Sequence, residues 1–370
     1  MYIDLILAVC FFIFFLRIAV SYIGAVKERR KKVFKDLPEV PYFLSVVVPG
    51  RNEEANFKEC ILSIAQSNYP SDRFEIIAVN DRSEDSTGQI LDDLKSQIPN
   101  LSVIHIDDTT KVPNLRGKPG ALQAGIERAK GEIIVMTDAD CTVNPNWLST
   151  LAKTFQDEQI GMSAGYSAIK TKTIFDKIQA VEWTYLHTLA TTGVGFDIPL
   201  SCYGNNLAVR KKDFDAIGGY HSVSFSVTED LALMHAIHKS GKKIRYLTLE
   251  ESTITTQPCP NFKEYLKQKH RWVIGALDLG WIAFVFVLTS FSMWLGIAIS
   301  LFICHPWWLL AFILLRFAGD SLITIPSARI LKQNKIIKWT IPAIFFFIFM
   351  ELVAPFLLLK KDVKWKGQTF

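Results

Sequence analysis

Two carboxylates one residue apart, Asp138 and Asp140, close the apolar run Ile133, Ile134, Val135, Met136. Such a run predicts a buried strand, so the pair emerges at the strand's C-terminal end, where open α/β sheets bind their ligands. Two acids at this spacing can hold Mg²⁺ or Mn²⁺, which takes one or two carboxylates and completes its shell with substrate phosphates. An isolated pair is equally at home in a solvated turn, and the rest of the chain must decide. A third acid, Asp230 in Thr228-Glu229-Asp230, opens a helix-like run (Leu231, Leu233, Met234, Ile237) and sits near the positive end of a helix dipole. Farther on, Gln268-Lys269-His270-Arg271-Trp272 sets a guanidinium beside an indole just before the chain turns strongly apolar. Taken alone, Asp230 reads as a helix-capping residue and the 268–272 segment as a membrane-interface belt. Lys118-Pro119-Gly120 is not a phosphate-binding P-loop, because no Ser or Thr follows the lysine.

The elements that must position these residues recur at near-regular intervals. Four β-type runs, Leu44 to Val48, Glu75 to Asn80, Ser102 to Ile106 and Glu132 to Thr137, alternate with the helix-compatible stretches Glu54 to Gln66, Glu84 to Gln97 and Gly120 to Ala129. That alternation predicts an α/β fold, a mostly parallel sheet flanked by helices. The loops after the strands then share one edge: Pro49, Gly50, Arg51, Asn52 and Glu53; Asn80, Asp81, Arg82 and Ser83; Asp138 to Asp140. Turn chemistry and capping by Asn52 or Asp81 explain any one loop but not three polar loops together. From 150 to 270 the pattern is less regular, with a glycine-containing segment Cys202-Tyr203-Gly204-Asn205-Asn206.

The chain is 370 residues long with 49% hydrophobic residues and a mean hydropathy of +0.21, too apolar for an ordinary soluble enzyme. The excess lies at the two ends, leaving a middle of a size that fits one large globular domain. Residues 1–23 hold only Asp4 and Arg17 as charges and lead into Lys27, Glu28, Arg29, Arg30, Lys31 and Lys32, a pattern of an uncleaved transmembrane helix rather than a signal peptide. The expected organisation is an N-terminal transmembrane helix (1–23), a basic linker (24–43), a cytoplasmic catalytic domain (44–272), a membrane region of about three helices (273–359) and a basic tail (360–370). Its spans fall at 280–303, 306–325 and 340–359. Three full spans put the Arg329, Lys332, Lys335, Lys338 loop on the cytoplasmic side and the Lys360, Lys361, Lys364, Lys366 tail outside, although both clusters favour the cytoplasm. A re-entrant segment, or a break near Ser290, would resolve the conflict. Glu351, an acid within an apolar run, is a functional-site candidate whose partner is expected to be a basic residue of the catalytic domain, or which faces an interfacial pocket. The net charge of +5 largely reflects membrane-flanking bases and gives no reason to invoke nucleic acid. The six cysteines show no metal spacing, which fits a reducing compartment. Of the seven histidines only His235 and His238 lie close together, and these read as surface helix residues.

In chain order, VVVPGRNE (46–53), VNDRS (79–83), Lys118 to Leu122, DAD (138–140), TED (228–230) and QKHRW (268–272) resemble the family 2 glycosyltransferases. The resemblance is to their membrane-integrated branch, which includes ceramide glucosyltransferases, bacterial lipid glycosyltransferases and the cellulose and hyaluronan synthases. It covers about residues 45–272 and reaches the tail at Ala354-Pro355-Phe356 and Trp365-Lys366-Gly367. It implies a GT-A fold that takes a nucleotide-diphospho-sugar, expected to be a UDP-sugar, and inverts the anomeric carbon in one displacement. Matched by position, Pro49, Arg51, Glu53 and Asp81 would cradle the nucleotide with Lys118 nearby. Asp138 would hold the donor, Asp140 would ligate Mg²⁺ or Mn²⁺ with Asp138 beside it, and Asp230 would be the general base. Gln268, Arg271, Trp272 and Glu229 would line the donor and acceptor pocket. The implied acceptor is a membrane lipid, and the alternative is a processive polysaccharide synthase. Asn205 and Asn206 stand where relatives often carry glycine and serine near the acceptor.

Overall fold

The computed structural model describes residues 2–38, 41–107, 117–223, 226 and 228–359, with the backbone alone of 364–365 and 368–369. After a long helix, α1 (Tyr2–Arg29), the chain alternates as its apolar runs dictate: β1 (Leu44–Gly50), α2 (Phe57–Ala65), β2 (Phe74–Asp81), α3 (Thr87–Lys95), β3 (Leu101–Ile106), α4 (Lys118–Arg128) and β4 (Ile133–Met136). All seven residues of β1 are buried, because both of its faces are covered. Val46 and Val48 pack with Phe57 and Ile61 on one side, and Val47 packs with Ala121, Leu122 and Ile126 on the other. Such strands read as continuous apolar runs instead of alternating ones.

Residues 142–276 supply the less regular half. They form β5 (Thr142–Val143), α5 (Trp147–Thr154), β6 (Ile160–Gly165), β7 (Ser167–Ile169), α6 (Ile174–Gly195), β8 (Leu207–Arg210), the short α7 (Lys211–Ala216) and α8 (Gly219–Ser222), α9 (Glu229–Lys239), β9 (Lys243–Leu247), β10 (Ile254–Thr256) and α10 (Phe262–Ala276). The main sheet has the order β3-β2-β1-β4-β8-β6-β9. It is mostly parallel, as expected, with β8 inserted antiparallel to both β4 and β6. Because β1 lies between β2 and β4, the loops leaving β1 and β4 sit side by side at the point where the strand order reverses. That is the usual binding crevice of an open sheet.

The chain continues into α11 (Trp281–Phe302), α12 (Pro306–Ile330), the short α13 (Asn334–Ile337) and α14 (Thr340–Leu357). α1, α11, α12 and α14 are long and apolar enough to cross a membrane. Their outer faces expose large side chains, Phe12 at 60%, Phe291 at 59% and Phe345 at 60%, an arrangement suited to lipid rather than to water. α11 runs unbroken through Ser290, so the break there, one of the two ways offered to resolve the topology, does not exist. Ser290 instead accepts a 2.7 Å hydrogen bond from Arg17. Arg29 donates to Ser327 near the C-terminal end of α12, and Trp308 donates to Asp4 near its N-terminal end (3.4 Å), so α1 and α12 run in the same direction. The loop after α12 reaches the segment between β9 and β10, where Lys332 pairs with Glu250 at 2.5 Å. The basic side chains of the tail lie outside the described residues.

Glu351 corrects the sequence expectation. Its partner is Arg316 of α12, at 2.9 Å, and not a base of the catalytic domain. Trp294 of α11 donates to the same carboxylate at 3.3 Å, and Arg316 also holds Asp320 at 2.7 Å. Helix α6 lies between the sheet and these spans and is buried on nearly every face. Its C-terminus meets α1 backbone to backbone: a Cβ at Gly195 would lie 2.0 Å from the Gly24 carbonyl oxygen. Within α6 the fully buried His187 accepts from the Ser167 N–H through Nε2 (3.2 Å), so Nδ1 carries the proton and donates to the Tyr246 hydroxyl at 2.5 Å. Burial pushes the imidazole down to about 3 and keeps it neutral.

Candidate active site

The C-terminal ends of β1, β2 and β4, the first turns of α4 and α9, and one face of α10 open on a single cavity of about 280 Å³. Its walls include every residue to which the family resemblance gave a donor, acceptor, metal or base role: Pro49, Arg51, Glu53, Asp81, Lys118, Asp138, Asp140, Glu229, Asp230, Gln268, Arg271 and Trp272. Local geometry explains why they converge. The loops after β1 and β2 turn through left-handed residues, Asn52 and Arg82, each at φ 54. They are stitched together by Glu84 N–H to Asn52 Oδ1 (2.8 Å), Asn52 N–H to Ser83 Oγ (3.0 Å) and Glu53 N–H to Thr87 Oγ1 (2.8 Å). Asn52 and Asp81 therefore do not act as helix caps: Asn56 and Ser86 occupy the positions before α2 and α3.

Lys118, at the start of α4, is the hinge of the electrostatics. Its ammonium lies 2.6 Å from Asp138 and 3.5 Å from Glu229. Burial works against that charge, but Asp138, Glu229 and Asp230 outweigh it and hold the lysine above its ordinary value. Asp140 is the more enclosed of the two strand-end acids. Burial, reinforced by Asp138 and Glu53, pushes it up to about 6, and Cys141 Sγ and Thr256 Oγ1 approach its two oxygens at 3.4 Å each.

Asp230 sits in the first turn of α9, where its carboxylate satisfies one first-turn amide and also reaches the segment before β8. Oδ2 accepts from Gly204 N–H (2.7 Å) and Oδ1 from Leu231 N–H (2.8 Å). Burial and the neighbouring Glu229 push it up to about 6, against Lys118 and the two amide donors. A carboxyl group poised there exchanges a proton near neutral pH, as a general base must.

The lining carries six carboxylates (Glu53, Asp81, Asp138, Asp140, Glu229, Asp230) against three cations (Arg51, Lys118, Arg271). A diphosphate entering such a site brings more negative charge and requires further positive charge to balance it. Among the described residues no group of three or more His, Cys, Asp and Glu is arranged to enclose a metal. Mg²⁺ or Mn²⁺ takes one or two carboxylates and lets substrate oxygens complete its shell. Asp138 and Asp140 fit that demand.

The far wall is aromatic. Trp183 stacks on Tyr203 at 5.2 Å, and Trp272 meets the edges of both at 5.5 and 5.4 Å. Lys269, paired with Glu182 at 2.8 Å, covers the Trp272 ring from 3.9 Å. Trp183, Tyr203, Gly204, Ser226, Thr256 and Gln257 also line the cavity and were not singled out as site residues from the sequence. Only the glycine in Cys202–Asn206 signalled any of them. Asn205 reaches the cavity, whereas Asn206 braces the fold, accepting from Trp147 Nε1 (3.0 Å) and donating to the carbonyls of Tyr166 and Ser252. His235 donates to the Pro199 carbonyl at 2.9 Å and His238 approaches Asp197 at 3.4 Å, so both are half-buried contacts of α9 rather than free surface groups.

The glycosyl transferase family 21 model matches residues 9–370. A probable glycosyltransferase, YdaM of Bacillus subtilis (strain 168), is 25% identical over 378 residues, covering 90% of this chain and 86% of that one. The beta-monoglucosyldiacylglycerol synthase of Trichormus variabilis is 26% identical over 268 residues, covering 70% of this chain and 54% of its own, so this chain spans about half of that relative. Among solved structures, the mannosyltransferase PcManGT from Pyrobaculum calidifontis, in complex with GDP-Man and Mn²⁺, superposes with a TM-score of 0.63 over 97% of this chain and 98% of that one. At 18% identity that similarity is one of fold.

Proposed function

The chain belongs to glycosyl transferase family 21, the ceramide glucosyltransferase family, and from that premise we propose that it moves a hexosyl group from a UDP-sugar to the hydroxyl of a membrane lipid. The catalytic domain faces the cytoplasm, beside the basic ends of α1 and α12. One observation carries the reading: Asp138, Asp140, Arg271 and Asp230 line one cavity, and α10, which brings Arg271 and Trp272 to it, leads directly toward α11, a helix long enough to cross a membrane.

The reaction is a single inverting displacement. The acceptor oxygen attacks the anomeric carbon as the bond to the diphosphate oxygen breaks, and Asp230 takes the hydroxyl proton. Asp138 and Asp140 would hold Mg²⁺ or Mn²⁺, which neutralises charge on the departing diphosphate. Arg271 adds a permanently charged, forked donor set suited to phosphate oxygens. Lys118 keeps Asp138 and Glu229 in place until the donor arrives. The Trp272 and Tyr203 rings supply an apolar surface for a sugar face. Pro49, Arg51, Glu53 and Asp81, at the strand ends, border the nucleotide.

The test is transfer by membranes containing the protein, supplied with labelled UDP-sugars, lipid extract and Mn²⁺ or Mg²⁺, with and without EDTA. A short organic-extractable product that disappears with chelator and returns with metal is expected. A long water-soluble polymer would favour the processive alternative. No transfer from any donor would overturn the proposal.

A further inference from the structure

Behind Asp230 lies a second cavity of about 220 Å³, which the transfer chemistry above does not use. At one end it shares Tyr203, Thr228, Asp230 and Trp272 with the first cavity. Its other walls are Leu186 and Leu189 of α6, Leu200, Ser201 and Cys202, Leu231 of α9, Ala276 of α10, Leu279 and Phe286 of α11. The two cavities therefore meet at the carboxylate proposed as base, and the second leads from it to a membrane-spanning helix. The outer face of α11 beside Phe286 is apolar and exposed, with Phe284 and Val287 each at 65% and Trp281 at 71%.

We propose that this cavity takes the hydrocarbon tail of the acceptor where it joins the reacting hydroxyl, so that the lipid enters between α6, α10 and α11. The inference rests on the lipid-acceptor reading and specifies its geometry. A reacting oxygen must come within hydrogen-bond reach of Asp230. The two cavities share Asp230 itself, and apart from it the second offers the single hydroxyls of Ser201, Tyr203 and Thr228 and the Cys202 thiol among apolar side chains. The acceptor is therefore a lipid whose hydroxyl lies within a few bonds of its chain. A lipid with a bulky glycan or phosphate between tail and hydroxyl would place polar groups against leucines that offer no hydrogen bonds. Gly275 helps keep the junction open on the α10 side: a Cβ there would come 2.5 Å from Cγ2 of Thr228, which lines both cavities.

Photo-crosslinking tests the placement without requiring sugar transfer. The full-length protein in bilayer nanodiscs is exposed to a diacylglycerol carrying a diazirine near the carbonyl end of one acyl chain, and labelled peptides are mapped. The expected result is labelling around Leu186–Leu189 and Ala276–Leu279, reduced at least tenfold in Ala276→Trp and, from the opposite wall, in Leu189→Trp. Thermal melting reports whether each variant is folded. Labelling confined to the outer face of α11, at Phe284 and Val287, or unchanged in both folded variants, overturns the subsite. Sugar transfer to the probe with outer-face labelling alone would leave the lipid-transferase reading standing and remove this one. Labelling of the cavity without transfer by any donor would do the reverse.

Discussion

Replacing Asp230 by Asn tests the proposed mechanism most directly, because it keeps the shape of the side chain and removes its capacity to take a proton. Loss of a general base lowers rates by about 10²–10⁴, or roughly 3–5 kcal/mol of barrier at 1.36 kcal/mol per decade. The structure adds a second effect. Each carboxylate oxygen now accepts one backbone N–H, Gly204 at 2.7 Å and Leu231 at 2.8 Å. An amide offers one acceptor only, so one of those donors faces an NH₂ group, which costs about 1–3 kcal/mol where the site is buried. The melting temperature of Asp230→Asn in detergent should accordingly fall, and activity must be measured below it. In the proposed mechanism the base works as the carboxylate. Its pKa of about 6 therefore makes transfer present above that pH and lost as pH falls through it. Asp140 is pushed to a similar value, but a ligand must be deprotonated to hold its metal, so at saturating Mn²⁺ its titration moves to lower pH. On the proposed mechanism the acid limb that remains near 6 belongs to Asp230. Initial rates of labelled sugar transfer from pH 4.5 to 8.5, at saturating donor and Mn²⁺, read both quantities. A folded Asp230→Asn protein that transfers within threefold of wild type, or that keeps the same acid limb, would refute the assignment.

Two further perturbations address what holds the site against the membrane. Gly195→Val places carbon against the Gly24 carbonyl, at a point where a Cβ would already lie 2.0 Å from the oxygen and backbone cannot yield as a side chain does. Overpacking of this kind costs about 1–3 kcal/mol, so the melting temperature in detergent should drop, and an unchanged value would contradict the contact between α1 and α6. Arg316→Met strands both Asp320 and Glu351, a loss of about 3–5 kcal/mol for a broken buried pair, whereas Glu351→Gln leaves Arg316 still held by Asp320 at 2.7 Å. Unfolding in the same detergent should rank Arg316→Met well below Glu351→Gln, and equal losses would overturn the shared-arginine network.

The strand-end residues were legible because burial leaves a local trace: β1 and β4, covered on both faces, appear as uninterrupted apolar runs, and the first polar residues after such runs must lie at the sheet edge. Sharing of that edge follows from parallel pairing, so Arg51, Asp81 and Asp138 could be grouped before any distance was known. Their ionic partners were not legible, because no periodicity links Lys118 to Glu229, or Glu28 at the end of α1 to Arg245 on β9, 2.8 Å apart in space. Helix α6 was hidden for a different reason. A helix that faces solvent on one side announces itself by a 3.6-residue alternation, and one that faces lipid does so by uniform apolarity. α6 does neither, since it turns His187, Thr188 and Thr191 toward protein hydrogen bonds on one side and Leu186, Leu189 and Tyr185 toward apolar neighbours on another. Its mixed composition is the imprint of a helix wedged between a catalytic sheet and a membrane bundle. That position also gives α6 the means to couple the two, because Glu182 and Trp183 touch the helix and rings around Arg271 while Gly195, at its other end, rests on a membrane-spanning helix.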